Sequence, residues 1–152
     1  MASIQHQVII QAEAQSIFEA ITTQEGLSSW WIKESKAKAE KGHVNAFHVE
    51  GYPLNKMKIT QLKPNKAVEW KCIGGDKDWI GTRITFKIKE GNSGSILQFK
   101  HSKWKKKNEF FATCSFHWAR HLIMLQYYCE NGKSILDAEH ESEENEKVKK
   151  QK

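Results

Sequence analysis

Two histidines, His117 and His121, stand four residues apart in a stretch whose apolar residues repeat with a helical period, so both imidazoles belong to one helix face. Neutral imidazoles at this spacing can chelate zinc or iron. The glutamate of an H-E-x-x-H site is absent, because position 118 is Trp118, and no nearby third ligand is evident, although His101 could approach in space. Histidines hydrogen-bonded to their surroundings account for the pair more simply, and no metal is assigned. His121 shares its stripe with Cys114 and Tyr128 and keeps the capacity to hydrogen-bond a ligand. Both imidazoles can titrate near neutral pH.

Other reactive groups lack partners. Cys72 is a candidate nucleophile, but no base accompanies it, and a structural thiol is the simpler reading. Glu69 and Arg83 occupy alternating positions that point away from the apolar side of their strands, so no pair of groups meets the needs of general acid–base catalysis. No catalytic residue and no cofactor are assigned. In the run Lys100–Lys107, five lysines surround Trp104, a pattern that can hold phosphates while the indole stacks on a base. A solvated strand-to-helix loop explains the same run. Anionic lipid headgroups or an acidic protein face would use the same charges.

The elements that must position these residues are legible in the periodicity. Val8-Ile9-Ile10 marks a first strand, followed by a helical pattern from Ala12 in which Ile17, Phe18 and Ile21 share a face. Gly26 breaks that pattern, and Leu27 to Trp31 reads as a short helical turn. Val44 to Val49 alternates weakly. Met57, Ile59 and Gln61 then point one way; Val68, Trp70 and Cys72 alternate with Glu69 and Lys71; Ile84, Phe86 and Ile88 alternate with Thr85 and Lys87. Gly91-Asn92-Ser93-Gly94 is a hairpin turn, after which Leu97 and Phe99 carry the alternation to His101. These are antiparallel strands with one wet and one apolar face. From Asn108 to Asn131 the period is helical: Phe111, Ser115, Trp118, Leu122, Leu125 and Cys129 form one stripe, beside a second holding Phe110, Cys114, His117, His121, Met124 and Tyr128. Gly132 is the expected stop. The sheet needs a cover, and this helix is the element long and apolar enough to supply it.

With 152 residues the chain has room for one domain, and no apolar run reaches the roughly 20 residues of a membrane-spanning helix. The first residues lack the basic-then-apolar pattern of a secretory signal. Three cysteines without CxxC spacing argue against a disulfide framework, which together predict a cytoplasmic protein with reduced thiols. The net charge of +6 divides unevenly: residues 1–136 hold 20 bases against 12 acids, while 137–152 form a mildly acidic, charged and flexible tail. Most sheet lysines fall on wet faces, so the charge calls for solubility and no nucleic acid is expected as a partner.

Ile17-Phe18-Glu19-Ala20-Ile21-Thr22 followed by Leu27-Ser28-Ser29-Trp30-Trp31 resembles the opening helix and double-tryptophan signature of the activator-of-heat-shock-protein-90-ATPase homologue-like group, within the START-like (SRPBCC) helix-grip superfamily. Trp79 to Phe86 resembles the Gly-Thr-led strand of that group, Val68-Glu69-Trp70 its preceding strand, and Trp118, Leu122 and Leu125 with Glu130 to Lys133 its closing helix. The resemblance implies an α+β helix-grip (START-like) fold over residues 1–136: a curved antiparallel sheet wrapped around a long C-terminal helix, two short helices after the first strand, and a cavity between sheet and helix. On that basis the expected function is binding of a small hydrophobic or amphipathic ligand. Trp31, Met57, Trp70, Cys72, Trp79 and Phe86 would line the cavity with Phe99, Phe111, Trp118 and Leu122; His121 and Tyr128 would orient a polar end, and the loop Ile73 to Trp79 would gate access. The alternatives are a chaperone-activator-like or stress-associated module that binds a protein through its basic surface, and a cyclase- or hydrolase-like enzyme.

Overall fold

The structure, a computed structural model, describes residues 2–135. The tail expected at 137–152 lies outside the described residues. The order is β1 (Ala2–Ile10), α1 (Ala14–Thr22), α2 (Gln24–Trp30), β2 (Glu34–Lys36), β3 (Val44–His48), β4 (Asn55–Lys63), β5 (Ala67–Gly74), β6 (Arg83–Gly91), β7 (Gly94–Trp104) and α3 (Glu109–Asn131). The seven strands form one antiparallel sheet in the order β1-β7-β6-β5-β4-β3-β2. The helices α1 and α2 carry the chain from one sheet edge to the other, and the strands then meander back to β1. The long α3 closes over the concave face, against β1, α1 and α2. This is the helix-grip architecture. No described helix is long and apolar enough to cross a membrane.

Local chemistry sets the boundaries. Asn108 caps α3 by accepting a hydrogen bond from the Phe111 N–H (3.0 Å), and Gly132 ends it in the left-handed conformation, φ 75°, that glycine adopts without a Cβ clash. Gly26 does not interrupt the helical region but lies within α2. A Cβ there would stand 2.5 Å from the Ala20 carbonyl oxygen, so glycine lets α2 pack directly on α1. Thr23 caps α2 through Gly26 N–H, and the buried Trp30 indole donates to the Ala20 carbonyl (2.8 Å), tying the same two helices.

Two bulges change which residues face inward. In β4, Ile59 pairs with Trp70 and Gln61 with Glu69, so β4 carries one extra residue. Beyond it the inward place expected of Gln61 passes to Leu62, which packs on the core, while Gln61 lies beside Glu69 and Arg83 on the outer face. In β7, His101 pairs with Ile4 and Trp104 with Ala2, again one residue too many, and Lys103 takes a positive φ of 67°. This slip turns Trp104 inward, where it is fully buried. The reading of Trp104 as an exposed ring among the lysines of Lys100–Lys107 is therefore overturned.

Candidate functional site

The sheet's concave face presents Trp70 and Cys72 from β5, Phe86 from β6, and Phe99 and His101 from β7, with Met57 from β4 and Phe47 from β3 at one side. Facing them, α3 contributes Phe111, Trp118 and Leu122. All are buried. Trp31, immediately after α2, and Trp79, from the loop between β5 and β6, are half-buried and close the space from outside. Ten of the twelve expected ligand-binding residues thus meet in one aromatic cluster or its immediate wall, and His121, its ring 6.4 Å from that of Trp118, joins them. Tyr128 is ten residues past Trp118 on α3, ~15 Å along the axis, and about 10 Å from His121.

Four indoles form a continuous stack. Trp31 lies between Trp70 (ring centroids 5.6 Å apart, planes at 24°) and Trp118 (5.2 Å, 25°), and Trp118 stacks in turn on Trp79 (5.9 Å, 18°). Phe47 approaches Trp31 to 4.4 Å, and Phe86 and Phe99 fill the floor with edge contacts. The rings themselves occupy the space between sheet and α3. Two surface concavities of about 610 and 640 Å³ lie elsewhere, one between the start of α1 and the β6–β7 hairpin and the other on the outer sheet face.

A polar chain threads the cluster. The Trp118 indole, a donor only, gives its N–H to His101 Nδ1 (3.1 Å), which leaves the proton on Nε2. Nε2–H then donates to Thr82 Oγ1 (2.8 Å), and the Thr82 hydroxyl donates to the Trp79 carbonyl. Every site is used and the tautomer follows from the partners. Burial pushes His101 down to a pKa of about 3, so it is neutral at physiological pH. With both nitrogens engaged, this His–Thr pair is a structural brace and supplies no free base.

Other polar atoms in the cluster lack partners. The indole N–H groups of Trp70, Trp79 and Trp104, and His121 Nδ1, are buried without a hydrogen bond among the described residues. The Trp79 indole approaches the Cys114 sulfur, a weak acceptor, closely enough to favour the thiolate, without a bond of good geometry. His121 is held below its ordinary range mainly by burial; the backbone of Trp30 opposes this, and His117 and Arg120 reinforce it. A buried donor without an acceptor costs ~1–3 kcal/mol, so the three indoles are a demand for acceptors inside an apolar wall.

The thiols and the histidine pair behave differently. Burial raises Cys72 to about 11 and Cys129 to about 12, and raises Cys114 as well, which removes the thiolate a nucleophile needs. His117, expected on the inner stripe, is exposed, whereas His121 turns inward. Their different environments and the lack of a third His, Cys, Asp or Glu within reach among the described residues leave no metal-binding set there. Glu69 and Arg83 do face outward and pair at 2.8 Å, with Thr60 donating to the same carboxylate oxygen.

Sequence reasoning missed Trp30, Phe47, Thr82, His101 and Trp104 as members of the cluster. For His101 the signal was present, since it stands in phase with Leu97 and Phe99. For Phe47 it was weaker, and for Trp104 the bulge removed it.

Comparison with known proteins follows the same lines. The model of the family described as Activator of Hsp90 ATPase homolog 1-like protein matches residues 11–130. The solution structure of the Aha1 dimer from Colwellia psychrerythraea is 32% identical with a TM-score of 0.81, covering 88% of this chain and 100% of that one. A Bacillus halodurans protein solved in solution is 25% identical with a TM-score of 0.65, over 86% of this chain and 98% of that one. A Staphylococcus saprophyticus crystal structure, 18% identical with a TM-score of 0.74 over 88% and 96%, shares the fold. Comparison with the curated proteins finds no match.

Proposed function

The chain belongs to the family of Activator of Hsp90 ATPase homolog 1-like proteins and has its helix-grip fold; from that premise we propose that it binds a small, flat, amphipathic molecule between the sheet and α3, in the place that Trp31 fills. The observation that carries this reading is the pair of unpaired indole donors, Trp70 Nε1 and Trp79 Nε1, with the unpartnered His121 Nδ1 beside them, set around a wall of rings. Trp70 and Trp118 are buried on β5 and α3, while Trp31 and Trp79 come from connections and are half-buried. A ligand that displaced Trp31 would stack between Trp70 and Trp118 and offer acceptors to the surrounding N–H groups. Trp31 and Trp79 would be the movable parts, with the loop from Ile73 to Trp79 as the gate. Each ring pair is worth ~0.5–1.5 kcal/mol beyond its buried area, so a competitor for Trp31's place must itself be flat or aromatic.

Native mass spectrometry of the purified chain should reveal a co-purified small molecule. Trp31→Ala should bind anilinonaphthalene sulfonate roughly tenfold more tightly than the wild type, the equivalent of one or two ring contacts removed from competition. A wild type that carries nothing, together with a Trp31→Ala variant that fails to bind the probe, would end this proposal.

A second reading has its own observation. On the outer sheet face Lys58 lies directly opposite Lys71, and Lys71 opposite Arg83. Glu69 pairs with Arg83, which leaves Lys58 and Lys71 as like charges facing across strands; such a pair destabilises a sheet and favours an acidic protein surface as partner for this face. A partner held in this way would dissociate as salt screens it. The free cysteines accord with a reducing, cytoplasmic setting. The Colwellia psychrerythraea relative was solved as a dimer; by analogy this chain self-associates.

A further inference from the structure

The inner stripe of α3 is consumed by the core, yet its opposite face is also apolar. Phe116 is 70% exposed and Ile123 58% exposed. Seven residues apart, they lie on one face two turns from each other. Ala112 and Thr113 lie exposed on the preceding turn, and Ala119 is half-buried between the two large side chains. Gln126 donates to the Ile9 carbonyl (2.7 Å), which brings Ile9 of β1, 56% exposed, beside the same end of the helix. Charged residues make up 28% of the chain, yet α3 carries only Glu109, Arg120 and Glu130 among its 23 residues, two of them in its terminal turns. A helix face meant for water would hold more charge than this.

We propose that this face of α3 is where a second copy of the chain docks, the two α3 helices running antiparallel about a twofold axis; the proposal rests on the self-association reading above. A twofold contact must be complementary to itself. Centred between Ala119 and Arg120, the antiparallel arrangement sets Phe116 against the partner's Ile123, Ala112 against the partner's Tyr127 and Thr113 against the partner's Gln126, so that small residues meet large ones and a hydroxyl meets an amide. Antiparallel helices also oppose their dipoles favourably. The two Arg120 side chains flank the axis and extend to solvent on opposite sides, as long cationic chains do. The 23-residue helix is ~34 Å long. A strip of that length, widened by Ile9, makes a small interface, so association is sought across micromolar concentrations.

Sedimentation velocity of the full chain across that range tests the proposal. The wild type should pass from one-chain to two-chain mass as concentration rises. Phe116→Glu and Ile123→Glu should each weaken association by at least roughly tenfold. Lys41→Glu, an exposed residue in the turn between β2 and β3, should leave the mass profile unchanged. Both glutamates replace exposed side chains, and near-ultraviolet circular dichroism of the indole cluster checks that the variants keep the native packing. A wild type that stays at one-chain mass overturns self-association and this face with it. A wild-type dimer that both glutamate variants leave intact overturns the face alone.

Discussion

Acidification should unfold this protein through His101. The imidazole is fully buried between the Trp118 indole and the Thr82 hydroxyl, and its folded pKa is about 3 against an ordinary value of 6.5. At pH 7 it is neutral in the folded state and mostly neutral in the unfolded one, so its contribution to the pH dependence there is small. Between pH 6.5 and 3 the unfolded chain binds close to one proton more than the folded chain, so stability rises with pH, by about 1.4 kcal/mol per unit from this group alone. Two units below its ordinary pKa the loss is about 3 kcal/mol, a large part of the ~5–15 kcal/mol that holds a domain together. The structural reason is that protonation would put a second donor on Nδ1, facing the Trp118 N–H, which can only donate. His101→Gln is the matched perturbation: its amide carries one acceptor and one donor group and does not titrate. Urea unfolding of both proteins from pH 4 to pH 7 gives the measurement. The stability of the wild type relative to the variant should fall by about 1.4 kcal/mol for each unit below pH 6.5, and the other histidines cancel because both proteins contain them. A difference that stays constant across this window would refute the neutral, two-partner assignment of His101.

Three further outcomes follow from the packing. Gly26→Ala, whose Cβ would stand 2.5 Å from the Ala20 oxygen, should cost roughly 1–3 kcal/mol in urea unfolding, and a neutral result would mean that α2 is free to move away from α1. Native Cys72, with its thiol raised to about 11, should react with a disulfide reagent at pH 7.5 far more slowly than in the denatured chain; rapid native labelling of Cys72 would contradict its burial. Lys71→Glu, placed opposite Lys58 and Arg83, should stabilise the fold by ~0.2–1 kcal/mol at low salt, and the gain should fade as salt is added; destabilisation would mean that Glu69, already paired with Arg83, repels the new carboxylate more than Lys58 attracts it.

Much of the architecture was legible because it depends on neighbours in sequence. The period-two runs at Val68-Trp70-Cys72 and Ile84-Phe86-Ile88 faced inward as expected, since a strand alternates its side chains whatever surrounds it. Asn108, Gly132 and the Gly91–Gly94 turn acted as local punctuation at their expected places. The candidate site was legible to the same extent: Trp70, Phe86, Phe99 and Trp118 came from alternation and helical period, and Trp31 from its place in the double-tryptophan signature.

What the tertiary structure decided depends on contacts between distant segments. One extra residue in β7 turned Trp104 into the core and one in β4 exchanged Gln61 for Leu62, because a bulge arises from matching strand lengths across the sheet and leaves no periodic trace. The tautomer of His101 was set by Trp118 and Thr82, seventeen and nineteen residues away. The sequence alone determined that an aromatic-rich sheet would grip a long helix. Only the packed molecule decided that Trp31 would fill the space between Trp70 and Trp118, and that Phe116 and Ile123 would be left facing solvent, because which side of a helix meets the core depends on what covers it.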